Sequence, residues 1–134
     1  METQPMNAAV RLLETGEAAR VALECGSRRI TYGDLQQAVA QAAGAWQALG
    51  LVADDRVVVF APDSIEWVTS YLGAIWAGGV AIGVNPRLGI AELASIVDES
   101  QVRFLWTTPE LVSEVAAMAI KGLKSMDRFT GGTV

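Results

Sequence analysis

The order of apolar segments along the chain predicts an α/β fold. Short, mainly apolar runs occur at 57–60, 80–84 and 102–106, and the run at 57–60 is rich in β-branched residues. Such nearly continuous runs are typical of strands that are covered on both faces. Between them, apolar residues recur at gaps of three and four, which indicates amphipathic helices. Because helices and strands alternate with short connections, we expect a doubly wound, mainly parallel sheet with flanking helices.

The first 50 residues predict a short helix, a β-hairpin and a longer helix. The short helix is expected near Ala8 to Glu14, and apolar residues on either side of Cys25-Gly26-Ser27 indicate the hairpin. Thr31 is a suitable N-cap for the longer helix, and Asp34 three residues later resembles the partner in a capping box. Gly50 is expected to end this helix.

The longest uncharged stretch, residues 67–86, predicts a buried helix, a turn and a strand rather than a membrane span. Its length is close to the roughly 20 residues of a spanning helix. However, Gly78-Gly79 interrupts its middle and Asn85-Pro86 ends it. Its second half, residues 80–84, is expected to be a second buried strand.

The end of the chain predicts one more helix and then a tail. Thr107-Thr108-Pro109 is expected to begin a helix that reaches about Ile120. Residues 121–134 show no clear period. We therefore predict one unit over residues 1–120, followed by a tail or a truncated continuation over residues 121–134.

Composition excludes several classes of function. The net charge is −5, and the ten Lys and Arg are scattered apart from Arg28-Arg29, which argues against nucleic-acid binding. The absence of His removes the commonest general base and metal ligand, and it excludes a Cys–His pair with Cys25, the single cysteine. No metal site is expected. One thiol and no signal peptide are typical of a cytoplasmic protein.

The loops that follow the strands are the candidate ligand-binding positions. In open parallel sheets, ligands bind beyond the carboxyl ends of the strands, which selects Pro62-Asp63-Ser64, Asn85-Pro86-Arg87 and Thr107-Thr108-Pro109. Arg87 could meet a phosphate, whereas Asp63 would repel one. The alternative is that Asp63 and Ser64 are helix caps and that Arg87 is a solvated turn residue.

Four tryptophans are many for a chain of this length. Trp46 and Trp76 lie on apolar helix stripes, and Trp106 ends a predicted strand. Packing in the core or against another domain is the first interpretation. The alternative is that one of the four lines an aromatic substrate pocket.

Several short motifs follow one another in a dense order: ITY at 30–32, DRV at 55–57, GAIWAG at 73–78 and VNPRL at 84–88. Together they resemble the opening region of the adenylate-forming superfamily, which includes acyl-CoA synthetases, aryl-CoA ligases, luciferases and peptide-synthetase adenylation domains. The opening Asn7-Ala8-Ala9 is similar to that of benzoate-type and medium-chain CoA ligases. The resemblance, which also extends to fatty-acid CoA ligases, covers roughly residues 7–107.

This resemblance implies an ATP-dependent carboxylate–CoA ligase that uses ATP, CoA and Mg²⁺. The phosphate loop, the adenine contacts and the catalytic lysine of that family lie downstream of the matched region. No catalytic or metal-binding residue is therefore assigned here, and tight cofactor binding by this chain alone is not expected. Because the 84–88 loop lies near the CoA nucleotide in acetyl-type members, the resemblance makes Asn85, Pro86 and Arg87 CoA-side binding candidates.

Two functional hypotheses follow. In the first, the chain is the N-terminal subdomain of a longer ligase and is inactive alone; its partners are the remaining subdomains and a small carboxylic acid. In the second, it is a stand-alone, non-catalytic α/β module that binds a partner protein or a small acyl ligand, or that associates with itself as a homo-oligomer.

Overall fold

The helices and strands follow the predicted order. The computed structural model describes residues 7–116. Its elements are α1 (Ala8–Glu14), β1 (Val21–Cys25), β2 (Arg28–Thr31), α2 (Tyr32–Ala48), β3 (Arg56–Phe60), α3 (Ile65–Trp76), β4 (Val80–Val84), a 3₁₀ helix (Pro86–Leu88), α4 (Ile90–Glu99), β5 (Phe104–Thr107) and α5 (Val112–Ala116).

The main sheet has three parallel strands in the order β4-β3-β5. The central strand β3 is paired on both sides, and residues 57–60 are almost completely buried. This burial explains the continuous apolar run, because a central strand of a parallel sheet meets helices on both faces. The doubly wound α/β prediction is confirmed.

The prediction that residues 80–84 form a buried strand was correct about the strand and wrong about its burial. Among the described residues β4 is an edge strand, and within it only Val84 is buried, while Val80 remains 46% exposed. Strand order decides whether an apolar run is central or at an edge, and the run itself does not encode that order. Within residues 7–116, no helix is both long and apolar enough to span a membrane.

The end of the described region also differs from the prediction. β5 runs from Phe104 to Thr107 rather than over 102–106, and Thr107 pairs with Phe60 instead of starting a helix. A turn follows, in which the Leu111 N–H donates to the Thr108 carbonyl at 3.0 Å. α5 therefore begins only at Val112. The predicted extension to Ile120 and the predicted tail lie outside the described residues.

Helices cover both faces of the sheet. On one face, α2 and α3 pack on β3 and β5 in a first cluster: Trp46, Leu51, Val57, Val59, Ala61, Ala74 and Trp106. On the other face, α4 and α5 form a second cluster with the sheet: Val58, Phe60, Val84, Leu93, Val97, Val102, Leu105 and Val115. The alternation of β3 side chains between the two clusters follows the two-residue period of a strand.

A third layer consists of α1 and the β1–β2 hairpin, packed on the outer side of α2 and α3. The buried residues at this contact are Ala9 and Leu13 of α1, Leu35 and Val39 of α2, and Leu72 of α3. The Asn7 side chain forms hydrogen bonds at two helix ends and so connects this layer to α3. Its side-chain oxygen accepts from the N–H groups of Ala9 and Val10, and its amide donates to the carbonyls of Ile75 and Trp76 at 2.6 and 3.1 Å. One side chain thus caps the start of α1 and the end of α3.

An ion pair joins the hairpin to the first turn of α3. Arg28 donates to Glu66 at 2.5 Å. The net effect of this environment is to lower the pKa of the Glu66 carboxyl. Partial burial alone would raise the pKa, but the Arg28 hydrogen bond, a backbone hydrogen bond and the Arg28 charge together outweigh burial.

We expect the stabilisation from Glu66 to depend on pH. A carboxyl whose pKa is lowered by folding stabilises the protein above its unfolded pKa, and this contribution disappears as the pH falls through the folded value. Glu66→Gln should therefore cost about 0.2–1 kcal/mol at neutral pH, because the pair is partly exposed. The difference from wild type should shrink as the pH falls below the usual Glu value of 4.5. Urea unfolding over a pH series tests this, and a cost that stays constant down to pH ~3 would contradict it.

Candidate functional site

The three loops selected from the sequence lie at one edge of the sheet. β3, β4 and β5 are parallel, so their carboxyl ends point the same way. The structure thus brings the loops that begin at Ala61, Asn85 and Thr108 to the same side of the molecule. Their side chains nevertheless have different roles.

The loop after β3 begins helix α3. The Ser64 hydroxyl oxygen accepts from the Trp67 N–H at 3.1 Å, which makes Ser64 the N-cap. The cap interpretation is therefore confirmed for Ser64. Asp63 is exposed and contributes to the lining of a pocket.

The loop after β4 is held by Asn85. Its side-chain oxygen accepts from the Arg87 N–H at 2.9 Å, and Pro86 begins the 3₁₀ helix that follows. Arg87 is exposed, and its guanidinium forms no hydrogen bond or ion pair with residues 7–116. The cation is therefore available to an anionic ligand.

The loop after β5 offers fewer polar groups than the sequence predicts. The Thr107 hydroxyl donates to the Phe60 carbonyl at 2.7 Å, and Thr107 is 8% exposed. This bond joins the ends of β3 and β5, the two strands between which the strand order reverses. A crevice at that reversal is the usual ligand site of doubly wound sheets. Here the Thr107 hydroxyl is already engaged with Phe60 at that position.

An open pocket of about 370 Å³ lies instead beside the ends of β3 and β4. Its aromatic wall is the pair Trp67 and Tyr71, whose rings are stacked with centroids 4.8 Å apart and planes at 11°. The lining residues are Ala61, Asp63, Trp67, Tyr71, Gly83, Val84 and Asn85. Two candidate loops thus meet in this pocket, through Asp63 and Asn85.

Gly83 allows the aromatic wall to lie directly against β4. A Cβ at this position would be only 2.7 Å from Trp67 Cζ2 and 3.1 Å from Cη2. Any side chain would therefore displace the Trp67 ring. The local chemistry of the pocket is that of a binding surface, with an apolar aromatic wall, one carboxylate and one side-chain amide.

Sequence reasoning did not identify the Trp67–Tyr71 wall. It allowed that one tryptophan lines an aromatic pocket, but it did not indicate which. Trp67 and Tyr71 are four residues apart, so they share one face of α3. Their spacing and their position just after a candidate loop are the signal that could have identified the wall. Within residues 7–116, no three His, Cys, Asp or Glu side chains are grouped to hold a metal ion.

Comparison with known proteins relates this fold to a group of ligases. The chain matches the family model described as AMP-binding enzyme over residues 13–130. It is 35% identical over 118 residues to 3-hydroxybenzoate–CoA ligase of Aromatoleum sp. (strain CIB), covering 83% of this chain and 23% of that protein. It is 34% identical over 113 residues to 3-hydroxybenzoate–CoA/4-hydroxybenzoate–CoA ligase of Thauera aromatica, covering 81% and 22%.

A solved structure gives the same result. The chain superposes on a benzoate CoA ligase from Burkholderia xenovorans LB400 with a TM-score of 0.78 and 27% identity, covering 90% of this chain and 25% of that one. The structural match is to the N-terminal subdomain of the acyl-CoA synthetase fold. The chain spans less than a quarter of the length of the two curated relatives named above. The chain belongs to the AMP-binding enzyme family.

Proposed function

We propose that the complete protein is an ATP-dependent carboxylate–CoA ligase and that residues 1–120 form its N-terminal subdomain. The observation that carries this proposal is the family match over residues 13–130, together with relatives named as hydroxybenzoate–CoA ligases. In the proposed reaction, a carboxylate attacks the α-phosphate of ATP to give an acyl-adenylate and pyrophosphate. The CoA thiol then displaces AMP to give the thioester.

The substrate class that we propose is a small aromatic carboxylic acid. Two relatives are named for hydroxybenzoates, and a third, from Rhodopseudomonas palustris, for 4-hydroxybenzoate and benzoate. We also propose that the complete enzyme is cytoplasmic, a location that suits the single cysteine of this chain.

The described residues support binding and scaffolding rather than chemical catalysis. They offer no grouped metal ligands, so we assign no Mg²⁺ position and no catalytic step to them. We assign Asn85, Pro86 and Arg87 to the CoA side. Arg87 is exposed and has no ion-pair partner among residues 7–116, as suits a phosphate-binding cation, and the Asn85 side chain accepts from the N–H of Arg87 in the same loop.

Pyrophosphate release tests the activity. The longer polypeptide, translated from the gene beyond codon 134, should release pyrophosphate when given ATP, CoA, Mg²⁺ and a panel of aromatic acids. The 134-residue chain should release none under the same conditions. No release by the longer protein from a panel that also includes aliphatic acids would refute the proposal.

Arg87→Ala in the longer protein should raise the KM for CoA about tenfold, which corresponds to the loss of one charge-assisted contact. The kcat should change little. Pantetheine lacks the nucleotide of CoA, so its KM as the thiol substrate should be the same for wild type and variant. Arg29→Ala is the matched control, because Arg29 is also exposed but lies on the hairpin. Equal effects of the two substitutions would exclude a specific role for Arg87.

The second candidate function is a stand-alone module that associates with a partner or with itself. The observation in its favour is that β4 and β5 are both edge strands in the described sheet, since unpaired edges promote association. Light scattering on the 134-residue chain over a concentration series tests it. A monomer at all concentrations would count against self-association.

A further inference from the structure

The outer edge of β4 lacks the features that usually protect a free strand edge. Val80–Val84 contains no charge and no proline, and its register with β3 is regular. The β1–β2 hairpin has such features, since it carries Glu24, Arg28 and Arg29 and its register shifts once. An exposed edge that is apolar and regular readily pairs with another strand.

The free backbone groups of β4 are arranged symmetrically about Ile82. The Val80 N–H donates to the Asp55 carbonyl at 2.8 Å, in the direction of β3. Backbone groups alternate in direction along a strand, so those of Ala81 and Gly83 point away from β3. These two residues lie one position before and one position after Ile82. An antiparallel copy of the same strand therefore offers the matching donors and acceptors at the matching positions.

The apolar sequence of β4 is also self-complementary. When all five residues of two antiparallel copies pair, Ile82 lies opposite Ile82, Val80 opposite Val84, and Ala81 opposite Gly83. Every pair is apolar, so no like charges meet. Ala81 and Gly83 then form the hydrogen-bonded pairs, whereas the central Ile82 pair is of the closer, non-hydrogen-bonded kind.

The α3 face of β4 leaves room for only a small neighbouring side chain. The Trp67 ring lies against Gly83, where a Cβ would be 2.7 Å from Trp67 Cζ2. In the pairing described above, Ala81 of the second copy lies opposite Gly83. Its methyl group is small enough to lie beside the ring, at the mouth of the open pocket that Trp67 lines.

The α4 face of β4 borders a second open cleft. Its volume is about 170 Å³, and it is lined by Arg56, Val80, Ile82, Glu99, Ser100 and Gln101. Ile82 and Val84 belong to the cluster on this face, and Val80 shares the face because side chains alternate along a strand. Val84 of the second copy lies opposite Val80 and brings an apolar side chain to this cleft. Both faces thus have space beside β4 that the second copy fills.

A further crossover of the same kind does not reach this edge. α4 carries the chain from β4 across β3 to β5, and Val115 places α5 on the same face as α4. Crossovers between parallel strands are right-handed in about 98% of cases, so one through α5 leads away from β4. Such an extension of the sheet leaves the β4 edge free for another molecule.

We propose that β4 pairs with β4 of a second copy of this chain, antiparallel, about a twofold axis that passes through Ile82 perpendicular to the sheet. Ala81 of each copy exchanges both backbone hydrogen bonds with Gly83 of the other, and the two sheets become continuous. This inference rests on the second candidate function, self-association, to which it assigns an edge and a register. It does not depend on ligase activity.

Disulfide trapping in the 134-residue chain tests the register. In a Cys25→Ser background, Ile82→Cys places two thiols on the axis, with Cα atoms about 4.5 Å apart, which a disulfide can span. Val80→Cys is the matched control, because its two copies lie four residues apart along the strands, about 13 Å, which is too far.

With oxidised glutathione as the oxidant, Ile82→Cys should form a covalent dimer at least about tenfold faster than Val80→Cys. Random collision would favour the control instead, because Val80 is exposed and Ile82 is partly buried.

Light scattering over a concentration series tests the edge. The wild-type chain should pass from monomer to dimer, and Val80→Lys should raise the Kd of the dimer at least about tenfold, since lysine protects strand edges. Val21→Lys is the matched control, because Val21 is 45% exposed, close to the 46% of Val80, and lies on the hairpin. This control should leave the Kd unchanged.

Three results would overturn the proposal. Equal or faster trapping of Val80→Cys would show that Ile82 does not lie on the axis. A dimer that Val80→Lys does not weaken would use another surface, which refutes this edge but leaves self-association standing. A wild-type chain that stays monomeric up to about 1 mM would refute both the proposal and self-association.

Discussion

Trp46→Ala should destabilise the protein by about 3–5 kcal/mol, the range measured for removal of large buried aromatic side chains. Trp46 is 1% exposed and lies between α2, α3 and the sheet. Its indole N–H donates to the Ser70 carbonyl of α3 at 3.2 Å, and its ring meets Phe104 edge-on at 5.8 Å. The substitution therefore leaves a cavity where three elements meet. Urea unfolding followed by far-UV circular dichroism measures the cost.

Two further variants separate the causes of this loss. Trp46→Phe keeps most of the apolar volume but removes the N–H donor, so it should cost only about 1–2 kcal/mol. Trp67→Ala removes the same side chain at a partly exposed position, and it should cost less than half as much as Trp46→Ala. If all three variants lost similar stability, burial of Trp46 between the helices and the sheet would not be the cause.

The central part of the fold could be predicted from the sequence because local signals agree with it. The apolar run at 57–60 has the length and composition of a central strand, and Thr31 and Ser64 are cap residues at the helix starts where the structure shows them. The edge position of 80–84 could not be predicted. It depends on the crossover that places β5 on the far side of β3, and both kinds of strand have the same apolar run.

Long-range polar contacts could not be predicted from the sequence either. Asp55 accepts from Arg103, 48 residues away, at 2.6 Å, and Asn7 reaches Ile75, 68 residues away. Asp, Arg and Asn are common on protein surfaces, and Ile75 takes part only through its backbone carbonyl, so nothing local identifies either pair.

The candidate site could likewise be predicted only in part. Its loops were predicted by the rule that ligands bind beyond the carboxyl ends of parallel strands. Its aromatic wall could not be predicted, because the contact of Trp67 with Gly83 depends on how α3 packs against β4. The sequence shows both residues, but it does not show that they are close in space.

Gly73→Val should destabilise the protein by about 3 kcal/mol, at the upper end of the usual cost of overpacking. Gly73 lies where α3 touches α2. A Cβ there would be 2.6 Å from the Ala42 Cβ and 3.2 Å from the Ala43 nitrogen. These neighbours are a methyl group and a backbone atom, which cannot move aside without moving the helix. Valine would therefore push α2 and α3 apart and disturb both the first cluster and the contact with the third layer, because both helices contribute to each of them.

Gly44→Val is the matched control, because it makes the same change inside α2. A Cβ at Gly44 would meet nothing within 4 Å, and the position is exposed. Valine is a somewhat better helix former than glycine, so this variant should remain within about 0.5 kcal/mol of wild type or gain slightly. Urea unfolding of both variants measures the difference. If Gly73→Val were as stable as Gly44→Val, the close contact of α2 with α3 would not exist in solution. The wall of Trp67 and Tyr71, which α3 positions, would then also be in doubt.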